Sequence, residues 1–152
     1  MFLIQTVDPA EADGKVAELY GTFPAHIGVP LPMRLLSASP GILERSAETI
    51  RYYMTHPRLS PGLLASIRYA VASRTGHTAC VELNRGILEK MGLSEAELAE
   101  LARFSCQRAE LDDEESAMLA FVLKAFDTPQ SVVPGDVEEL RKIGYTDGDI
   151  LD

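Results

Sequence analysis

The sequence predicts an all-α fold of about seven helices. Three observations point there. Helix-start signatures recur: Asp8-Pro9, Ser39-Pro40 and Ser60-Pro61 set a capping residue before a proline, and Ser94-Glu95-Ala96-Glu97 is a capping box. Between these signatures apolar residues return at helical spacing. No convincing alternating strand is present, since Val132-Val133 and Phe2-Leu3-Ile4 are too short to build a sheet.

In chain order, the first helix is expected from Asp8-Pro9 to about Tyr20, with Gly14 weakening its middle. Phe23 to Pro32 holds three prolines and a glycine and reads as a loop. A short helical piece follows at Met33–Leu36. The next helix runs from Pro40 to about His56, with Ile42, Leu43, Ala47, Ile50 and Met54 inward, and Pro57 stops it. Ser60-Pro61 opens another, carrying Leu63, Leu64, Ile67, Ala70 and Val71 on one face until Thr75-Gly76. A helix beginning near His77 ends at Gly92, the expected C′ glycine. Ser94 starts a helix to about Phe104, and Asp112 or Asp113 starts one to Phe126 with Met118, Leu119, Phe121, Val122 and Phe126 inward. Pro129 and Pro134 bracket a loop. Val137–Ile143 is a short helix ended by Gly144, and Thr146-Asp147-Gly148-Asp149 is a last start signal.

A chain of 152 residues suggests one domain, residues 1–152. With 46% hydrophobic and 24% charged residues it can build a core and is not disordered in bulk. Asp plus Glu is 23 against 14 for Lys plus Arg, a net charge of −9. That balance repels phosphate backbones and anionic lipid, so no nucleic-acid or membrane partner is expected. No apolar run is long enough to span a bilayer, and the start lacks the basic segment of an export signal, so a cytoplasmic location is expected. The two cysteines, Cys80 and Cys106, are then thiols, serving packing or chemistry.

Chemistry is expected in the stretch from Gly76 to Asn84. With a helix start near His77, Cys80 lies close to unpaired backbone N–H groups that favour a thiolate. His77 stands three residues before Cys80, within reach on a helix, and a histidine beside a cysteine can serve as base or cation. The plainer reading is packing. Cys80, Asn84, Ile87 and Met91 share one helical stripe flanked by Leu83 and Leu88, and spacing alone favours a core-facing Cys80. Asn84 on that stripe needs a partner or a cavity, which points to a pocket.

No metal site and no cofactor are expected. His77, Cys80 and Asn84 offer only two good ligands and one poor one, with His26 and His56 as distant recruits. Cys106, beside Gln107 and Arg108, reads as half-buried filler. The acidic run from Glu110 to Glu115 reads as a solvated helix start. Tyr52, Tyr53 and Tyr69 read as core or interface aromatics, and Tyr69 joins Asn84 as a candidate binding residue. No phosphate loop, serine elbow or dinucleotide fingerprint is present.

Several stretches together resemble the alkylhydroperoxidase D-like (AhpD-like) group of the carboxymuconolactone decarboxylase superfamily, nearest its peroxidase-related branch. They are Val7 to Gly14 with Leu19-Tyr20, Tyr53-Met54 with Leu59-Ser60-Pro61, Ile67 to Gly76, Met91 to Ser94, and Leu140-Arg141 with Gly144 to Asp147. The resemblance covers nearly the whole chain. It implies a helical bundle and a homo-oligomer, whether dimer, trimer or hexamer. A further C-terminal helix in that family would begin where this chain ends, at Asp152.

The family's working motif is Cys-x-x-Cys-x-x-x-His with an upstream glutamate. Here His77 stands at the first cysteine position, Cys80 at the second, Asn84 at the histidine and Ala65 at the glutamate. A dithiol peroxidase needs one thiol to attack and another to resolve the sulfenic acid. His77 cannot resolve it, and Ala65 and Asn84 do not titrate. The resemblance therefore implies a divergent member, a non-dithiol binding or assembly module or pseudo-enzyme. The alternative is a thiol peroxidase of antioxidant type using Cys80 with His77 and an external resolving thiol. A small-molecule carrier using a cavity between helices is a third expectation.

Overall fold

The structure is a computed structural model, and it describes residues 2–23, 25, 28–104 and 111–152. His26 and Cys106 lie outside the described residues. Those residues contain nine α-helices and no strand. The fold class is therefore all-α. The helices are α1 (Gly14–Tyr20), α2 (Leu31–Leu36), α3 (Pro40–Met54), α4 (Pro61–Thr75), α5 (Thr78–Lys90), α6 (Glu95–Ala102), α7 (Asp113–Asp127), α8 (Pro134–Lys142) and α9 (Asp147–Leu151). Pro129–Ser131 forms a 3-10 turn between α7 and α8. The chain resolves into two compact units, residues 1–55 and 56–152.

In the first unit α3 packs against α1 and α2. Val16, Leu19, Tyr20, Met33, Leu43 and Ala47 form its core. The first helix starts five residues later than Asp8-Pro9 suggests. Asp8 does behave as a cap, but of an isolated turn: its Oδ1 accepts from the Ala10 N–H at 3.0 Å, and its Oδ2 pairs with Arg34 at 2.9 Å. The Glu11 N–H closes that turn on the Asp8 carbonyl at 3.0 Å. With both carboxylate oxygens occupied, nothing carries the turn into α1, and the backbone restarts at Gly14 with φ of +49°, which glycine tolerates. On α3, Leu43 and Ala47 are buried as the spacing predicts, whereas Ile42 and Met54 face outward.

The second unit is built around α4, which packs against α5, α6 and α7. Its sequence explains this position. Gly62, Leu63, Ala65, Ser66, Tyr69, Ala70 and Ala72 are all buried, while Pro61, Arg68 and Thr75 stay exposed along one stripe of the helix. Small residues let neighbours come close: a Cβ added at Gly62 would stand 2.9 Å from the end of the Met91 side chain. Ser60 caps α4 by accepting from the Leu63 N–H at 3.1 Å. Gly76 closes it in the left-handed conformation, with φ of +74°.

The remaining starts follow their caps. At α6, Ser94 and Glu97 make the reciprocal box, with Glu97 accepting from the Ser94 N–H at 2.8 Å. Asp112 caps α7 by accepting from the Glu115 N–H at 2.8 Å. Thr146 and Asp149 repeat the box at α9. Inside α7, Met118, Leu119 and Leu123 are buried, while Phe126 lies at the surface. The C-terminus of the unit is tied back by His56, whose Nε2 lies 3.2 Å from Asp152 Oδ2, while its Nδ1 accepts from the backbone of Arg58 and Leu59. No helix among the described residues is long and apolar enough to cross a membrane.

Candidate functional site

The α4–α5 pair frames an open groove of about 350 Å³. Its apolar wall is Ile67, Val71 and Ala72 of α4. Its polar groups are Arg68 and Thr75 of α4, His77 at the N-cap of α5, and Cys80 and Asn84 on α5. Ala72 and Asn84 are buried, while Thr75, His77 and Cys80 are exposed. The volume lies at the lower end of the range of small-molecule sites, about 300–1,000 Å³.

Gly76 explains how these groups converge. Its left-handed turn ends α4 and lets α5 start almost at once, so the last turns of α4 and the first turns of α5 face each other. The His77 carbonyl accepts the Cys80 and Val81 N–H groups at 3.0 Å each, which anchors the first turn of α5.

Cys80 is exposed, which corrects the expectation of a core-packed thiol. The stripe on which it lies enters the core only in its middle. Asn84 is 4% exposed and Leu88 fully buried, while Cys80 at one end and Met91 at the other are exposed.

Three of the four sequence-predicted site residues, His77, Cys80 and Asn84, come together on this groove. No hydrogen bond joins the His77 ring to the Cys80 sulfur, so the pair shares a surface without forming a coupled base and nucleophile in this state. The fourth, Tyr69, is buried in α4 and lies outside the set of groove residues. Ala65, at the position of the family's glutamate, is fully buried. Asn84 donates from Nδ2 to the Cys80 carbonyl at 2.8 Å. That bond uses one of its two amide hydrogens, and Oδ1 is unengaged among the described residues.

Arg68 was not singled out in the sequence. It lines the groove, and crowding by protein desolvates its guanidinium and lowers its pKa from the ordinary arginine value. By surface area the residue is exposed, like Thr75, His77 and Cys80 on the same groove. A signal for it existed: from Leu63 to Ala72 only Ser66 and Arg68 are strongly polar, and a cation inside so apolar a helix needs a reason. No group of three or more His, Cys, Asp and Glu side chains is gathered for a metal ion among the described residues.

Compared with known proteins, the chain matches no family model, no curated protein and no solved structure.

Proposed function

We propose that this chain is a divergent alkylhydroperoxidase D-like protein that lost the dithiol and works as a small-molecule-binding module. The observation that carries the binding role is the open groove between α4 and α5, with an apolar wall and a few polar groups on one side of it. The substitutions His77, Asn84 and Ala65 at the family's working positions support loss of the dithiol chemistry. Self-association as a dimer, trimer or hexamer and a cytoplasmic setting belong to this reading. Light scattering of the purified protein tests the first.

The binding role is tested by titrating a small-molecule fragment library into labelled protein and following backbone amides by NMR. Shifts are expected to cluster on Val71, Thr75 and Asn84. Thr75→Trp, at the exposed rim, fills the groove without entering the core and should abolish them. A library that moves none of these amides overturns the role.

One observation favours a second reading, the exposure of Cys80 on the same groove. In a thiol peroxidase its thiolate attacks the peroxide O–O bond, forms a sulfenic acid and releases an alcohol or water. An external thiol condenses with the sulfenic acid, losing water and leaving a mixed disulfide, and a second external thiol reduces that disulfide. His77 would serve as cation or base beside the thiolate. Steady thiol-dependent peroxide turnover that Cys80→Ser abolishes establishes this reading; turnover equal in the two proteins dismisses it.

A further inference from the structure

We propose that the α4–α5 groove takes a small apolar carboxylate, with Arg68 as the residue that pairs with the carboxylate group. This inference rests on the binding role above and names its ligand class.

The chain has more acids than bases, 23 against 14, so arginines readily find partners. Arg34, Arg58, Arg74, Arg85, Arg103 and Arg141 each pair with a carboxylate. Arg68 pairs with none among the described residues, although it stands at the exposed edge of a groove with an apolar wall, where crowding by protein removes part of the water from its guanidinium. Desolvating a cation is unfavourable unless an anion or hydrogen-bond acceptor replaces the water. Among the described residues no protein group does so. A ligand anion would.

A second polar group faces the same groove from deeper in. Asn84, nine-tenths buried and more, has a free amide hydrogen and an unengaged Oδ1 beyond its bond to the Cys80 carbonyl. Among the described residues Arg45 and Arg51 also lack a carboxylate, but Arg51 sits in a groove whose other residues include no buried polar side chain.

The geometry selects among anions. One guanidinium fork matches the two oxygens of a carboxylate. A phosphate dianion calls for more positive charge than one arginine supplies, and the chain's net charge of −9 opposes it. Ile67 and Val71 beside Arg68 suit an alkyl or aryl tail, and a groove of about 350 Å³ limits its length. The ligand class is therefore a monocarboxylic acid with a short apolar body.

The probes are octanoate and 1-octanol, which share a chain and differ in charge. Each is titrated into the full chain, and into Arg68→Gln and Arg68→Lys, with amide shifts on Val71, Thr75 and Asn84 as the readout and thermal melts as the check on folding. Octanoate is expected to bind at these amides. Arg68→Gln should weaken it about tenfold or more, as loss of a charge-assisted hydrogen bond does, and Arg68→Lys should restore part of the loss. Affinity for 1-octanol should stay within about twofold across the three proteins, since its pairing uses no charge. If both probes bind the groove equally and Arg68→Gln changes neither, the carboxylate inference falls while the binding role stands. If neither probe nor any member of the fragment library moves the groove amides, both fall.

Discussion

The groove between α4 and α5 and the groove between α7 and α8 are of similar size, about 350 Å³ each, and each contains one Lys or Arg side chain. Their chemistry differs because the protein answers one cation and leaves the other. In the α7–α8 groove, Lys124 Nζ donates to both oxygens of Asp136, at 2.8 and 2.7 Å. Asp136 also accepts from the Val133 N–H at 2.8 Å, so this cluster fastens the first turn of α8 to α7. Val133 has no side-chain acceptor, so only the carboxylate half of a capping box exists there. The charge is spent within the fold, and the groove has no free recognition group of that sign. In the α4–α5 groove, Arg68 has no carboxylate partner among the described residues. A cation's presence in a groove is thus weak information about ligands; whether the protein already neutralises it decides.

The largest expected effect comes from removing what supports both grooves at once. Leu63 of α4 is fully buried, and α4 packs against both α5 and α7. Leu63→Ala should cost about 2–5 kcal/mol in urea denaturation. A loss under about 1 kcal/mol would mean that α4 is not the shared support.

A smaller effect, specific to the α7–α8 groove, follows from Asp136. Lys124 first, and then the Val133 N–H, hold its carboxyl below the ordinary carboxylate range. Its folded pKa is therefore lower than its unfolded one. The stabilisation is present above the unfolded value of about 3.9 and is lost as pH falls through the depressed folded value. Asp136→Asn should lower the melting temperature at pH 7, and the gap to the parent protein should close as the pH drops below about 3. A gap independent of pH would mean that the carboxylate charge plays no part.

The smallest stability effect is expected at Arg68. Because no protein partner is lost, Arg68→Gln should change stability by no more than about 0.5 kcal/mol, while Lys124→Gln, which strands Asp136, should destabilise by more. Octanoate affinity should show the reverse order, falling in Arg68→Gln and holding in Lys124→Gln. Equal effects of the two substitutions on both readouts would erase the distinction between the grooves.

Much of the helical order was legible in the chain. Ser60-Pro61, the Ser94–Glu97 box, Asp112 and Thr146–Asp149 all start helices where local hydrogen bonding requires them. Gly76 and Gly144 stop helices with φ of +74° and +101°, where other residues would be strained. Asp8-Pro9 carried the same signature and made only a turn, in which Asp8 Oδ1 accepts from the Ala10 N–H, and the helix starts only at Gly14. Periodicity placed Cys80, Asn84, Ile87 and Met91 on one stripe but did not say how far along α5 burial extends, so Cys80 was misplaced.

Within the described residues, the chain by itself determined the all-helical class, most helix starts and stops, and the meeting of His77, Cys80 and Asn84 around one Gly76 turn. These depend on interactions within a few residues, which sequence spacing encodes directly. Tertiary structure alone decided that Cys80 is exposed, that Tyr69 is core and not a groove residue, and that Lys124 is neutralised while Arg68 is left to face a groove. Those outcomes depend on which distant groups arrive beside a side chain and how much water they displace, and no local spacing carries that.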